Sequence, residues 1–278
     1  MKIKYLGSGA SEGFPALFCT CDNCRRAKLA GGRNVRTRSQ TLINNDLLID
    51  FNADTYSHVV HQGLDLLQVK SILITHHHED HLYGHEFANL KPPFVVEADN
   101  MIKPDVFASA ATLAFLQEKL DYAGITEEYI SVHPFKPFEN HKVGNYEVTP
   151  VVANHDPKTE PLLYIIDDGK DKLFYAHDTG WFTKETWAYL KENKPYFSVV
   201  SLDCTCTGDK IPTPDGHLNL MACEATKDEL IKIGCADENT KFILNHFSHN
   251  GGYTYDELVP EATQKNFTVS YDGMEVEI

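Results

Sequence analysis

Short apolar stretches separated by polar turn residues run along the whole chain, and their spacing predicts both strands and helices. Residues 69–75 (VKSILIT) are rich in β-branched side chains and form a short run, which predicts a buried strand. Residues 40–44 and 47–51 flank Asn44-Asn45-Asp46, which is typical of a turn between two strands. Further strands are predicted at 2–6, 143–152, 162–167, 172–176, 196–202, 240–245 and 267–271.

Longer segments in which apolar residues recur every three or four positions predict helices. These segments are 54–64, 105–119, 183–193, 219–233 and 255–264. Strands and helices alternate without a low-complexity linker, which predicts a single layered α/β domain over residues 1–278. Residues with reactive side chains repeatedly follow predicted strands, where α/β folds usually place their sites.

Composition narrows the class of protein and of partner. The 278 residues are 42% hydrophobic, which supports a sizeable core. Residues 1–20 lack the apolar run of a signal peptide, and no stretch approaches the ~18 apolar residues of a membrane span, so we expect a cytoplasmic protein without a membrane partner. The net charge of −15 argues against a long nucleic acid. It does not exclude a small phosphate ester, because bound metal ions would reverse the local field.

The run His76-His77-His78-Glu79-Asp80-His81 directly follows the predicted strand 69–75. Imidazole and carboxylate groups together are ligands for zinc, manganese or iron. The three imidazoles and one carboxylate of His76, His78, Asp80 and His81 are too many for one tetrahedral catalytic ion that keeps an open position. We therefore predict that His76 and His78 bind one ion and that Asp80 and His81 bind a second.

The segment THHHEDHLYG resembles the HxHxDH signature of the metallo-β-lactamase superfamily. This resemblance implies an α/β fold, a four-layered αββα sandwich, with two divalent ions at one edge of its sheets. It also implies three further ligands, namely His155 for the first ion, Asp178 between both ions and His246 for the second. His177 competes with Asp178 for the bridging position, but a neutral imidazole bridges two ions poorly.

A second candidate metal site is the cysteine knuckle of residues 19–24, which holds three of the seven cysteines. Cys19, Cys21 and Cys24 nearly fill a tetrahedral zinc site and need one more ligand. His249 is an attractive fourth ligand, because it lies three residues after His246. Two alternatives for this position are Cys204 and Cys206.

The segments LGSGASEGFP, the knuckle, HxHxDH and HFSH together cover nearly the whole chain. They resemble the phosphodiesterase branch of the superfamily, typified by the phosphoribosyl cyclic phosphodiesterases of the carbon–phosphorus lyase pathway. The resemblance implies a structural zinc held by Cys19, Cys21, Cys24 and His249. It also implies that His217 protonates the leaving group, although the segment DCTCTGDKIPTPDGHLN around it departs from the pattern of that branch.

The expected activity is hydrolysis of a small cyclic or nucleotide-like phosphate ester, such as phosphoribosyl 1,2-cyclic phosphate. Two zinc or manganese ions would share a bridging hydroxide as the nucleophile. Asp178 would hold the pair, Asp80 would accept a proton as well as ligate, and His217 would donate a proton to the leaving alkoxide. Arg36, Arg38 and Trp181 are open candidates for substrate contacts.

Other functions remain open at this stage. A thioesterase or lactonase would use the same seven ligands, and a branch in quinone-cofactor biosynthesis shares the knuckle. A transfer-RNA-processing endonuclease would carry a basic, Gly/Pro-rich arm, which we do not find in the sequence. A non-catalytic metal-binding module would be expected to lose ligands, yet every expected position is kept. Relatives often form dimers, so a homodimer is also open.

Overall fold

Two seven-stranded sheets dominate the computed structural model, which describes residues 1–96, 102–208 and 215–278. The strands are β1 (Lys2–Gly7), β2 (Gln40–Ile43), β3 (Leu47–Ile49), β4 (Ser71–Leu73), β5 (Asp105–Ala108), β6 (Ser131–Pro134), β7 (His141–Val143), β8 (Tyr146–Val152), β9 (Leu162–Asp167), β10 (Lys172–Ala176), β11 (Val199–Asp203), β12 (Lys241–Asn245), β13 (Thr268–Val269) and β14 (Met274–Glu277). The α-helices are α1 (Asp22–Ala30), α2 (Thr55–Gln62), α3 (Ala110–Ala123), α4 (Lys184–Asn193), α5 (Leu220–Lys232) and α6 (Tyr255–Gln264).

Each sheet has an antiparallel half and a parallel half. The first sheet has the order β14-β1-β2-β3-β4-β5-β6, and its strands β3 to β6 are parallel. The second has the order β13-β12-β11-β10-β9-β8-β7, with β10 to β13 parallel. The carboxyl ends of parallel neighbours lie at the same edge of a sheet. The loops that follow β10, β11 and β12 therefore lie side by side at one edge of the second sheet. The loop that follows β4 lies at the corresponding edge of the parallel half of the first sheet.

The period-two alternation of strand side chains produces three apolar layers. Tyr164 and Ile166 of β9 face the first sheet, where they pack with residues such as Ile3 and Leu73. Their neighbour Ile165 faces the opposite way, into the core under α4, α5 and α6. A third cluster lies between the outer face of the first sheet and α3. The result is a four-layered αββα sandwich, as predicted.

Most predicted elements occur within a few residues of their expected bounds. The predicted helix 105–119 is partly wrong, because β5 occupies 105–108 and α3 begins only after Ser109, whose side chain accepts a hydrogen bond from the Thr112 backbone N–H. The prediction also missed α1, β6, β7 and β14. Within the described ranges, every helix is too short or too polar to cross a membrane.

Candidate metal centre

The predicted ligands follow strand ends in both sheets. The histidine run begins three residues after β4, and His155 follows β8 by three residues. Asp178 lies two residues after β10, and His246 comes directly after β12. Strands from both sheets therefore deliver their imidazole and carboxylate groups to one place.

His76, His78, His155 and Asp178 form the first donor group. The Nε2 atom of His76 lies 2.9 Å from Nδ1 of His78 and 3.1 Å from Oδ2 of Asp178. The Nε2 atom of His155 lies 3.2 Å from Nδ1 of His78 and 3.5 Å from Oδ2 of Asp178. Ligands at 2.0–2.1 Å from a tetrahedral ion are roughly 3.3 Å apart, so these spacings fit such an ion.

Asp80, His81, Asp178 and His246 form the second donor group, and all four are buried. The Nε2 atom of His81 lies 3.2 Å from Oδ2 of Asp80 and 3.1 Å from Oδ2 of Asp178. The Nε2 atom of His246 is 3.3 Å from Nε2 of His81. The same Asp178 oxygen thus faces both groups, which is where a carboxylate that bridges two ions would lie.

Two carboxylates that the sequence analysis missed orient these ligands. Asp50, which follows β3, is fully buried, and its Oδ2 lies 2.7 Å from Nδ1 of His81. Asp203 at the end of β11 lies 3.4 Å from Nδ1 of His246. Metal-binding histidines usually donate their second ring N–H to such a carboxylate. Asp50 lies one residue before the end of the predicted strand 47–51, and Asp203 directly follows the predicted strand 196–202, which is the signal the sequence carried for them.

Three residues at this edge have a positive φ angle, a backbone conformation that residues other than glycine rarely adopt. Asp50, Asp178 and His246 have φ angles of 66°, 55° and 62°, in the left-handed region. Such residues are uncommon and cluster at functional sites, because the surrounding structure must stabilise them. The two predicted ligands and the orienting carboxylate are therefore held where an unconstrained chain would not place them.

The buried carboxylates of the site require positively charged groups close to them. Burial alone would raise the pKa of Asp178, but His246, His217, His76 and His81 outweigh it and hold that pKa well below its usual value. Burial similarly opposes protonation of His246, yet Asp178 and Asp203 raise its pKa to about 9. Without ions, protons on imidazoles neutralise the buried carboxylates. Divalent cations would supply that charge instead, so the donor set fits the metals that the fold implies.

His217 lies beside the donor groups, half-buried. Its Nδ1 atom is 3.0 Å from Oδ1 of Asp178 and 3.3 Å from Oδ2 of Asp203. Burial lowers its pKa, but hydrogen bonds from the ring to these two carboxylates outweigh burial and raise the pKa to about 11. The structure therefore places the predicted proton donor next to the predicted bridging carboxylate.

The donor groups open into a cavity of about 380 Å³. The residues around it are of two kinds, metal-ligand candidates and small polar residues. The lining comprises Ala10, Ser11, Glu12, His78, Asp80, His155, Asp178, Thr205, Cys206, His217, His246, Ser248 and Asn250. A small polar molecule would reach both donor groups and His217 from here.

The cysteine knuckle forms a separate donor group with His249. The Nδ1 atom of His249 lies 3.6 Å from Sγ of Cys19 and 3.4 Å from Sγ of Cys21. Hydrogen bonds from the Cys24 N–H and from His249 lower the pKa of the Cys21 thiol to about 6. Burial raises the pKa of Cys24 to about 12. Three sulfurs and one imidazole nitrogen make a set that suits tetrahedral zinc.

The rival ligands lie elsewhere. Cys204 is buried near Cys223, and Cys206 lines the cavity, so the structure does not bring either into the knuckle. His177 points away from the donor groups, with its Nε2 atom 2.7 Å from Oγ of Ser201.

The candidates for substrate contacts lie outside the lining of the cavity. Arg36 is buried and donates to Oγ of Ser8 and to the carbonyl of Ser270. Arg38 donates to Asp54 and to the carbonyl of Ser11. The ring of Trp181 packs 5.2 Å from that of Trp187. In the described part of the chain these three side chains make intramolecular contacts and do not line the cavity.

Three comparisons with solved structures show the same fold over the whole chain. A diphosphatase of the PhnP family has a TM-score of 0.75 with 20% identity, covering 100% of this chain and 97% of that one. Zinc-bound PqqB from Methylobacterium extorquens has a TM-score of 0.73 with 17% identity, covering 100% of both chains. The short form of human tRNase Z has a TM-score of 0.67 with 15% identity, covering 100% of this chain and 99% of that one.

Sequence comparisons give two kinds of relative. Coenzyme PQQ synthesis protein B from Acinetobacter baylyi is 24% identical over 100% of both chains. An octanoyltransferase from Porphyromonas gingivalis is 36% identical over 88 residues, which are 30% of this chain and only 17% of that protein. The model of the beta-lactamase superfamily domain matches residues 46–247, which include all seven predicted ligands of the donor groups. The chain therefore belongs to the beta-lactamase superfamily and, with it, to the metallo-β-lactamase-fold hydrolases.

Proposed function

We propose that the chain is a dinuclear, metal-dependent phosphodiesterase that cleaves a small cyclic or nucleotide-like phosphate ester. The observation that carries this proposal is the joining of two donor groups through one oxygen of Asp178, 3.1 Å from both His76 and His81. His217 stands beside the same carboxylate, on the wall of the cavity. A phosphodiester needs an activated nucleophile and a proton for its leaving oxygen, and this site offers residues for both.

The proposed ligands divide between two ions. His76, His78 and His155 would hold the first, Asp80, His81 and His246 the second, and Asp178 both. When bound, zinc or manganese ions would supply an activated water and positive charge for the phosphoryl oxygens. Asp50 and Asp203 keep the rings of His81 and His246 oriented through their Nδ1 atoms.

His217 would act as the proton donor. Its Nδ1 atom lies 3.0 Å from Oδ1 of Asp178 and 3.3 Å from Oδ2 of Asp203, and these carboxylates would favour the protonated ring. The other nitrogen, Nε2, then carries the proton that can move to a leaving alkoxide oxygen. Aryl leaving groups need no such proton, because their oxyanions are stable near neutral pH.

The PhnP-family diphosphatase, which has a TM-score of 0.75, supports the phosphate-ester class of substrate. The curated relatives that span 99% or more of this chain are coenzyme PQQ synthesis proteins, which favours a second candidate function in quinone-cofactor biosynthesis. The two candidates share the ion-binding residues and differ in substrate, so a substrate panel separates them.

The test is turnover of bis-aryl and alkyl phosphodiesters, cyclic ribose phosphates, a thioester and a lactone, each with zinc and with manganese. The proposal expects phosphodiester hydrolysis that requires metal. His217→Ala should slow alkyl esters by 10²–10⁴-fold, the usual range for a general acid, and slow nitrophenyl esters far less. Equal losses on both ester types would remove His217 from this role, and a preference for the thioester or lactone would refute the phosphodiesterase.

A further inference from the structure

Among the described residues that line the cavity, Glu12 is the one carboxylate that belongs to neither donor group of the two-ion centre. It lies in the loop after β1, half-buried, with 28% of its side chain exposed. Glutamate at the rim of a substrate cavity is a common solvated residue, so exposure alone would mean little. Its surroundings show that the side chain is fixed.

The loop that carries Glu12 is held on both sides by backbone hydrogen bonds. Ala10 N donates to the carbonyl of Phe247 at 2.9 Å, and Phe247 N donates to that of Ser8 at 2.9 Å. On the other side, Gly9 N donates to the carbonyl of Thr37 at 2.7 Å. A Cβ at Gly9 would lie only 3.0 Å from that Thr37 oxygen, a tighter contact than most Cβ atoms make, so this close approach favours glycine. The loop is thereby fixed against the segment that carries His246 and His249.

Three neighbours hold the Glu12 carboxylate itself. Its Oε1 accepts a hydrogen bond from Oγ of Ser248 and lies 3.6 Å from Nε2 of His249. Because Nδ1 of His249 faces the thiols of Cys19 and Cys21, the ring presents Nε2–H toward Glu12 when a knuckle metal is bound. The other oxygen, Oε2, accepts from the exposed hydroxyl of Ser11 at 3.2 Å and has a second lone pair.

We propose that Glu12 determines substrate specificity, by accepting a hydrogen bond from a hydroxyl or ammonium group on the part of the substrate that lies away from the scissile bond. This inference rests on the proposed phosphodiesterase function for the identity of the scissile bond. The fixed, negatively charged carboxylate of Glu12 would favour substrates with a hydrogen-bond donor. It would favour a positively charged group more strongly and would repel a second negatively charged group. The knuckle therefore stabilises one wall of the substrate cavity as well as the fold.

The test uses four nitrophenyl phosphodiesters whose second alcohol has the same length and a different end. The alcohols are pentyl, 4-hydroxybutyl, 4-aminobutyl and 3-carboxypropyl. With the metal-loaded protein, we expect kcat/KM for the hydroxyl and ammonium esters to exceed that for the pentyl ester about tenfold, as for hydrogen bonds to a charged group. The carboxylate ester should be the poorest substrate.

Two variants at Glu12 separate charge from hydrogen bonding. Glu12→Ala should bring the hydroxyl-to-pentyl ratio close to one. Glu12→Gln should keep part of the hydroxyl preference, lose the ammonium preference and improve the carboxylate ester. Glu238→Gln removes an equal charge from an exposed position before β12, at the opposite end of that strand from His246, and should leave all the ratios as in the wild type.

A binding measurement keeps the inference testable if no ester is hydrolysed. Calorimetry with pentylphosphonate and 4-hydroxybutylphosphonate should show about tenfold tighter binding of the hydroxyl compound, and loss of that difference in Glu12→Ala. Absence of turnover with this binding difference intact would refute the proposed function and support the role of Glu12. Wild-type ratios near one, ratios unchanged in Glu12→Ala, or no phosphonate binding would overturn the role of Glu12.

Discussion

At the scale of single residues, the candidate site depends on carboxylates that never touch the cavity. Asp50 receives hydrogen bonds from the backbone N–H and hydroxyl of Thr75, at 2.8 and 2.9 Å, and contacts His81 with its other oxygen. Asp203 receives the backbone N–H groups of Thr205 and Leu218 at 3.0 and 2.8 Å. Burial alone would raise the pKa of Asp203, but the hydrogen bonds and charges of His217 and His246 outweigh burial and lower that pKa to about 2. Both carboxylates thus contact the Nδ1 atoms of histidines that the sequence predicts as ligands.

A buried histidine away from the metal centre gives a prediction for the dependence of stability on pH. His58 in α2 is fully buried, with Nδ1 2.6 Å from Oε1 of Gln40 and Nε2 2.8 Å from Oγ1 of Thr37. Burial lowers its pKa to about 4 from the ordinary 6.5, although the charge of Asp54 opposes the shift. Protonation is thus disfavoured in the folded state, so this contribution is present above pH 6.5 and is lost as the pH falls toward 4.

Because of His58, the free energy of unfolding should fall by about 2 kcal/mol when the pH is lowered from 7.5 to 5. Urea unfolding of wild type and His58→Gln at both pH values measures it, because the variant should lose that much less stability on acidification. His61→Gln is the control, since His61 is exposed on the same helix. Equal pH dependence in His58→Gln and wild type would contradict the buried, neutral state of His58.

At the scale of elements, the knuckle joins α1 to the loop after β12. Cys21 is the N-cap of α1 and accepts a hydrogen bond from the Cys24 N–H through its side chain. The side chain of Asn23 donates to the carbonyl of His249 at 2.7 Å. A metal at this position would fix a helix of nine residues that is otherwise mostly polar, so its binding energy becomes folding energy.

Cys21→Ser should therefore lower the stability of the fold more than it lowers the rate of turnover. We expect a loss on the order of 3 kcal/mol, which lowers the Tm by about 6–12 °C in a domain of this size. Elemental analysis should show one zinc fewer per chain. Cys235→Ser is the matched control, because Cys235 is buried outside the knuckle and contacts the carbonyl of Leu190, so its zinc content should stay unchanged. Normal melting and zinc content in Cys21→Ser would contradict a structural site.

Elements were predictable where a local pattern specifies them. The strand before the histidine run was clear from its β-branched residues, and the run itself gave four of the candidate ligands. The helix predicted from residue 105 was wrong at its start, because DVFA and AATLAFLQEKL read as one apolar segment and only the Ser109 cap separates them. The short edge strand β14 was missed because pairing with β1, rather than its own sequence, forms it. Asp50 and Asp203 were missed because their partners are distant in sequence.

At the scale of the whole molecule, the two donor groups connect the two sheets. The histidine run comes from the first sheet, whereas His155, Asp178 and His246 come from the second. The apolar core between the sheets holds them together, and cross-sheet hydrogen bonds such as that from Tyr5 OH to Oγ of Ser201 at 2.8 Å add to it. Bound ions would therefore connect the two sheets at the edge that carries the donor groups, while the apolar core packs the interior.

Removal of the ions should consequently loosen that edge and leave the sandwich folded. If ions are present at a thousand times their dissociation constant, chelation costs about 4 kcal/mol per site, and the Tm should fall and recover when zinc or manganese is restored. Hydrogen exchange should rise in residues 75–82, 153–156, 177–180 and 245–249, while β9 and β10 at the centre of the second sheet keep their protection. Unchanged exchange in those four loops after verified metal loss would mean that no ions join the sheets there. Global loss of protection would mean that the apolar core is insufficient without them.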